Sequence, residues 1–355
     1  MKIELEAAIE LIRKNIKPIY EQESVGLEEI HNRICAKDIQ APLDIPSFSR
    51  SPLDGYALRA EDSKGACKET PITLTIIEEI AAGQWPVKAV TKGTALALTT
   101  GSPIPEGADC VIRQEDTDQD TDKDKDNDKS KDTDTDTDTD TDTKIKIFKE
   151  LAPFQNYCHK GEDFKKGEIL AKAGERLNYL HAGNLASVGI SSVPVYQKPY
   201  VLLLTTGDEL CMPGQGNLPQ GKIYSSNHAM LSVRLKELGA SVFQMTNSED
   251  KAQALAQKIE EAERGPKGDK AHLLITTGGV SVGKKDLMHE VMTGLGAEII
   301  FHGVKIKPGS VVMFSVYKNL PVLSLSGRPF AAMNSFELLA RPALSVLTQQ
   351  TAVDC

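Results

Sequence analysis

Apolar residues recur along this chain with two different periods, and each change of period marks a change of architecture. Ile3, Leu5, Ala8, Ile9, Ile12 and Ile16 follow one another mostly at three- and four-residue steps, which predicts an amphipathic first helix ended by Pro18. A second short helical stretch, Gly26 to His31, leads into extended chain. From Pro42 to about Cys110 the apolar runs become short and β-rich: Ile72 to Ile77, Ala95 to Thr100 and Cys110 to Ile112, with Pro and Gly between them. Runs of this kind predict a small β domain. It opens on a loop, Ile45 to Ala57, whose Pro and Asp-Gly content holds a defined shape.

Beyond residue 197 strands and helices alternate. Tyr200 to Thr205, Ser241 to Met245 and Leu273 to Thr277 read as strands; Asn227 to Leu238, closed by Gly239, and Asp250 to Arg264 read as helices. The alternation predicts a three-layer α/β/α domain around a parallel-rich sheet, with the strand-to-helix loops gathered at one edge. The fold class is therefore α/β and multidomain. The expected boundaries are 1–44 with 154–197 for an N-terminal helix and linker domain, 45–153 for the β-rich domain, 198–348 for the α/β domain, and a tail at 349–355. The linker part holds a Gly174 turn and a helix around Tyr179 to Val188.

Between Asp116 and Thr143 the pattern lapses into Asp-Thr and Asp-Lys dipeptides. A stretch with almost no apolar surface cannot offset its ordering entropy, so 116–143 is expected to be disordered, an expanded hairpin tip between Ile112 and Ile145. Its Asp-x-Asp spacing lacks the Gly turn and the closing Glu of an EF-hand loop. The net charge of −9 belongs to this stretch: thirteen Asp and four Lys lie between 116 and 142, and the rest of the chain balances at 37 basic and 37 acidic residues. A neutral folded part removes any compositional case for nucleic-acid binding. The six cysteines are scattered without a C-x-x-C pair, against both a zinc site and a disulfide framework. No apolar run approaches a membrane span and the N-terminus is too acidic for a signal peptide, so a cytoplasmic protein is expected.

Candidate chemistry gathers in three glycine-bearing loops after strands: Thr205-Thr206-Gly207-Asp208-Glu209, Thr276 to Asp286, and Ser324 to Phe330. Strand, Gly-rich loop and helix N-terminus together present backbone N–H groups to an anion. Gly278, four residues, Gly283 and Lys284 approach a P-loop, but Lys285 stands where the magnesium-holding hydroxyl belongs. Lys307 adds positive charge, and Pro329 suits the first position of a last helix. Asp250 and Asp286 each have an ordinary explanation at a helix start, with Asn247 as a cap for the former. Taken with Glu209, these carboxylates around an anion-binding rim suggest a magnesium-bridged ligand.

The text Thr206-Gly207-Asp208-Glu209-Leu210, Thr277 to Gly283 with Asp286, Lys307-Pro308-Gly309, Asp54-Gly55-Tyr56-Ala57 and Thr100 to Asp109 resembles the molybdopterin molybdenumtransferases, the MoeA and gephyrin E-domain family, from near residue 1 to about residue 348. The resemblance implies a homodimer whose site lies between the α/β domain of one subunit and the β domain of the other. There adenylylated molybdopterin and molybdate react with Mg2+, releasing AMP and giving the molybdenum cofactor. Matched motif by motif, it implies catalytic roles for Asp54, Thr100, Asp163, Glu209, Asp250, Asp286 and Lys307. Glu209, Asp250 and Asp286 would be the metal ligands. Thr206, Gly207, Gly278, Gly279, Ser281, Gly283, Pro308, Gly309, Gly327 and Arg328 would cradle the pterin and its phosphate. Neither a nucleic acid nor a membrane is implied as partner; other cofactor-biosynthesis proteins are.

Several positions depart from the family's text. Ser326-Gly327-Arg328-Pro329 stands for Pro-Gly-Asn-Pro, Ala331 for a following Ser, Ser310 for the second Lys of Lys-Pro-Gly-Lys, and Gly303, beside His302, for a basic residue. The C-terminal β-barrel domain of many members has no counterpart before Cys355. Arg328 can restore lost positive charge through bidentate oxyanion contacts. The alternatives are a non-catalytic molybdopterin carrier or scaffold, a tungstate-using relative, and, last, a P-loop NTPase.

Overall fold

The structure is a computed structural model and describes residues 2–119, 143–214, 217–247, 251–265, 270–280 and 286–349. The chain forms two compact units, Met1–Ile39 with Leu170–Cys355, and Gln40–Ile169. Residues 154–169 thus group with the β-rich part, and 170–197 with the α/β part.

In the first unit the run Tyr200–Thr206 is apolar on both faces because helices cover both. It lies inside a six-stranded sheet ordered Ser241–Asn247, Tyr200–Thr206, Leu273–Thr277, Leu320–Leu325, Met313–Tyr317, Glu298–His302. The first four strands are parallel; Met313–Tyr317 runs antiparallel to both its neighbours, so the edge strand Glu298–His302 points the same way as the first four. Val201 and Leu203 point with Ile275 and Leu323 into a core shared with Ala8 and Ile12 of helix Leu5–Asn15, Leu231 and Leu235 of helix Ser226–Glu237, and Phe336. Leu202 and Leu204 point with Leu274 and Val322 the other way, onto Leu255 and Ile259 of helix Ala252–Arg264 and Met288 and Met292 of helix Leu287–Gly294. Two apolar faces on alternate residues make the three layers that the continuous apolar strands imply.

Helix starts follow local chemistry. Asn178 caps helix Tyr179–Ser187 by accepting from Leu180 N and His181 N, with His181 returning a contact to Asn178 N. Pro329 opens helix Pro329–Ser335, as its fixed φ and missing N–H suit. Helix Ala252–Arg264 starts after Lys251, whose side chain makes no capping bond; the expected cap by Asn247 lies outside what is described.

The Gln40–Ile169 unit holds a five-stranded sheet ordered Cys110–Arg113, Gly55–Leu58, Thr94–Leu98, Ile72–Ile80, Lys144–Ile147. Here the hairpin expectation is corrected. Lys144–Ile147 pairs with Ile72 to Thr75, at the opposite edge from Cys110–Arg113. What joins the two edges is a short contact beyond the strands: Thr117 bridges Ile147, Asp118 N donates to Lys146 O (3.1 Å) and Phe148 N to Asp116 O (3.0 Å). Residues 116–119 and Thr143, assigned from composition to the disordered stretch, are therefore held by backbone bonds, and Thr117 is buried. The remainder of that stretch, 120–142, lies outside the described residues, as do 350–355 of the tail.

Among the described residues the cysteines are free, and no helix is long and apolar enough to cross a membrane. Burial pushes the Cys110 thiol up to about 12 and raises Cys35 as well. At pH 8 Cys110 therefore stays a thiol, and the thiolate is the species that alkylates. Mass spectrometry after brief iodoacetamide treatment of the native protein should find Cys67 and Cys211 modified, with Cys35 and Cys110 untouched until denaturant is added. Early modification of Cys110 would mean that the β sheet opens.

Candidate active site

Strands Tyr200–Thr206, Leu273–Thr277 and Leu320–Leu325 are neighbours, in parallel and in level register: Thr205 lies opposite Thr277, and Thr277 opposite Leu325. Their C-terminal ends therefore release Gly207, Gly278 and Ser326-Gly327 along one line. At Gly278 the turns pack so closely that a side chain is excluded. Gly278 has φ +92, and a Cβ there would lie 2.2 Å from the Thr206 carbonyl oxygen; Gly278 N donates to Leu325 O (3.2 Å). Gly327 sits against Gly278, a Cβ on it reaching within 3.4 Å of the Gly278 Cα. The result is a rim of bare backbone.

Asn227, in the first turn of helix Ser226–Glu237, braces this rim. Its Nδ2 donates to Gly327 O (2.8 Å), while its Oδ1 is buried with no partner among the described residues. Sequence reading had given Asn227 only a helical place. Its neighbours Ser226 and His228 are polar as well, so nothing in the sequence set it apart.

Lys307 and Arg328 are solvent-exposed, without an ion-pair partner among the described residues. The Lys307-Pro308-Gly309 turn is fastened to helix Pro329–Ser335: Asn334 Nδ2 donates to Pro308 O (2.6 Å) and Ser335 Oγ to Gly309 O (3.0 Å). The turn that carries Lys307 is thus attached to the helix that starts next to Arg328.

Asp286 caps helix Leu287–Gly294, its Oδ1 accepting from His289 N (3.0 Å). Its Oδ2 lies 2.9 Å from His302 Nε2, an ion-pair separation, and the carboxylate is 11% exposed. The His302 ring stacks on His289 at 5.3 Å between centroids. Oδ1 is thus committed to the helix cap, whereas His302 Nε2, though near Oδ2, is buried without a hydrogen-bond partner among the described residues. Glu209 is exposed, its carboxylate folded back over Gly207.

In the Gln40–Ile169 unit, Asp54 and Thr100 meet. Thr100 N (2.6 Å) and Oγ1 (2.9 Å) both donate to Asp54 Oδ1. These bonds, the backbone one foremost, hold the Asp54 carboxyl below its ordinary range. A lowered value means that the pairing is fully present above the usual carboxylate range and lost as pH falls through that lowered value. Asp163 is exposed and set by its backbone, Asp163 N donating to Ile45 O (2.9 Å).

Comparison with known proteins divides the chain differently, at about residue 200. Residues 3–189 match the MoeA N-terminal region (domain I and II), and 202–346 match a probable molybdopterin binding domain. The chain belongs to the molybdopterin molybdenumtransferase family. A molybdopterin molybdenumtransferase of Staphylococcus epidermidis is 33% identical over 346 residues, 95% of this chain and 75% of its own length. That of Staphylococcus aureus is 34% identical over 339 residues, 94% and 74% respectively. Two crystal structures of the molybdopterin biosynthesis MoeA protein of Pyrococcus horikoshii match with TM-scores of 0.77 and 0.74. They are 32% and 30% identical and cover 99% of this chain and 81% and 80% of theirs.

In this chain the structure brings Thr206, Gly207, Gly278 and Gly327 together at one rim, and Asp54 with Thr100 in the β unit. Gly279 follows Gly278 in the same turn with φ +68. Asp250, Ser281 and Gly283 lie outside the described residues. Among those described, no group of three or more His, Cys, Asp or Glu is arranged to hold a metal ion. The donor chemistry nevertheless suits magnesium, which keeps most of its waters and takes one or two carboxylates beside a substrate phosphate. Glu209 supplies an open carboxylate of that kind.

Proposed function

We propose that this chain is a molybdopterin molybdotransferase, taking adenylylated molybdopterin and molybdate as substrates, releasing AMP and delivering molybdenum to the pterin dithiolene. Family membership supports the reaction class, and the level rim of Gly207, Gly278 and Gly327 is the observation that carries the assignment of a site. A dithiolene, a phosphate and an oxyanion are all negatively charged, and a bare-backbone rim flanked by Lys307 and Arg328 answers that need. Arg328 takes the place of the family's neutral residue and offers planar, paired donors to an oxyanion.

Magnesium, when bound, supplies further neutralisation of phosphate charge, and Glu209, Asp250 and Asp286 are the residues that would hold it. Asp54, kept ionised and fixed in direction by Thr100, and Asp163 are the acid–base candidates of the β unit. The assembly proposed is a homodimer and the compartment the cytoplasm; light scattering on the purified protein tests the former.

The experiment is AMP release from adenylylated molybdopterin by purified protein with Mg2+, titrated separately with molybdate and tungstate. Molybdate-dependent release is expected. Tight pterin binding with no release under either oxyanion would overturn the transferase in favour of a carrier, with Ser326, Arg328 and Ala331 as the positions where chemistry was lost.

A further inference from the structure

Within the Gln40–Ile169 unit, the turn that carries Thr100 is gripped from two sides. On one side Gly101 N donates to Ser51 O (2.8 Å), Ser51 N to Ser102 O (2.9 Å) and Ile104 N to Ser49 O (2.9 Å), which fixes the chain leading back to Phe48. On the other, Ala82 N donates to Thr99 Oγ1 (3.0 Å). The loop beyond Ala82 is closed by its own bonds. Gln84 N donates to Ala81 O (3.0 Å) and Ala81 N to Gln84 Oε1 (2.8 Å), the Glu78 carboxylate accepts from Val87 N and Lys88 N, and Val90 N donates to Glu106 O (2.8 Å).

At the ends of these two tethers Phe48 and Trp85 meet edge to face, 5.4 Å between centroids and 82° between planes. Trp85 is 66% exposed and Val87 89%. An edge-to-face pair leaves ring surface uncovered, and a loop pinned at so many points cannot fold that surface away. So much apolar area held in water is unfavourable unless something covers it.

The surroundings indicate what does. Trp85 is three residues from Ala82, a span of about 10 Å at most, and Ala82 is bonded to the neighbour of Thr100. Arg50, two residues after Phe48, is exposed, as is Lys88, three residues after Trp85, whose Nζ donates to Ile77 O (2.7 Å). Exposed, tethered aromatic rings on a loop bonded to the neighbour of Thr100 suit a planar heteroaromatic ring. We infer that Phe48 and Trp85 form the stacking platform for the fused ring of the anionic substrate, adenine or pterin, whose reacting end is presented to Asp54 and Thr100. The inference rests on the transferase reading for the identity of that substrate.

Trp85 is the single tryptophan of the chain, so its emission reports on the loop in the unaltered protein. Full-length protein is titrated with AMP, with neopterin and with ribose 5-phosphate, absorbance losses being corrected against free tryptophanamide. Saturable quenching by AMP or by neopterin, and none by ribose 5-phosphate, is expected; whichever ring quenches names the stacked one. By calorimetry, Trp85→Ala should weaken that ligand about ten-fold and Trp85→Phe much less. In turnover, Trp85→Ala should raise KM with little change in kcat, since the residue is placed to bind and not to react.

Three results would overturn the platform: no quenching by either ring, equal quenching by ribose 5-phosphate, or a blue shift that follows protein concentration without ligand. The last would mean that a second copy covers the indole. Ring-specific quenching without molybdate-dependent AMP release would keep the platform and remove the transferase, whereas release without quenching would do the reverse.

Discussion

Gly278→Ala should lower the stability of the α/β unit by about 2–5 kcal/mol and remove ligand binding at the rim. The backbone contribution is the cost of an L side chain at φ +92, about 1–2 kcal/mol. The steric one is larger, because the new Cβ would meet the carbonyl oxygen of Thr206, a backbone atom in the sheet that cannot rotate away. Overpacking of that kind costs about 1–3 kcal/mol. Gly296 is the control: it has φ +73 in the same unit, and nothing lies within 4 Å of where its Cβ would be. Gly296→Ala should show the backbone cost alone. Calorimetric scans of the two variants, with pterin binding measured on each, separate the contributions. Should Gly278→Ala melt with Gly296→Ala and bind pterin normally, close approach of the two turns is not what forms the rim.

That close approach shows which parts of the site were legible in the sequence. The glycine was readable because an apolar, β-branched run stops at it and a helix begins soon after; only a turn fits between. The three layers were readable for a similar reason, since a strand buried on both faces has no polar residue to spare, as Val201 to Leu204 have none. Strand direction left no such trace. Met313–Tyr317 is as apolar as its parallel neighbours and yet runs antiparallel to Leu320–Leu325, because the two are joined by a tight turn at Lys318, with φ +56, instead of by a helix. Pairing in the β unit was misread because nearness in sequence suggested a hairpin. The sheet order is set by long-range burial, which places Ile145 and Ile147 against Leu74 and Leu58.

The same distinction applies to the carboxylates. Glu209, Asp250 and Asp286 were selected as a set because their loops follow parallel strands, and parallel strands send their loops to one edge. What each acid does there depends on partners remote in sequence. Nothing in the text around Asp286 announces His302, which arrives on the edge strand Glu298–His302. Nor does the text around Ser326 announce Asn227, which reaches Gly327 from a different helix.

Asp286→Asn and Asp286→Ala should separate the capping role that the structure gives this residue from the metal-binding role proposed for it. As a cap, Asp286 Oδ1 satisfies His289 N at the start of helix Leu287–Gly294. Asn caps about as well as Asp, whereas Ala forfeits about 1 kcal/mol. The asparagine variant should therefore melt close to the parent, and the alanine variant a few degrees lower. As a ligand for magnesium, the residue needs its charge. An Asn side chain keeps the shape and lacks the charge, so both variants should lose molybdate-dependent AMP release by about a hundred-fold or more, the loss expected when several kcal/mol of charge stabilisation disappear. Mn2+ binding followed by electron paramagnetic resonance gives a readout apart from turnover and should weaken in both. Since Oδ2 already faces His302 Nε2, His302→Gln tests whether the imidazole directs that oxygen. A glutamine amide can still donate, so metal affinity should fall less than in His302→Ala. If Asp286→Asn keeps full turnover and Mn2+ affinity while only Asp286→Ala suffers, Asp286 is a helix cap and nothing more, and the metal must be held by Glu209 and Asp250 without it.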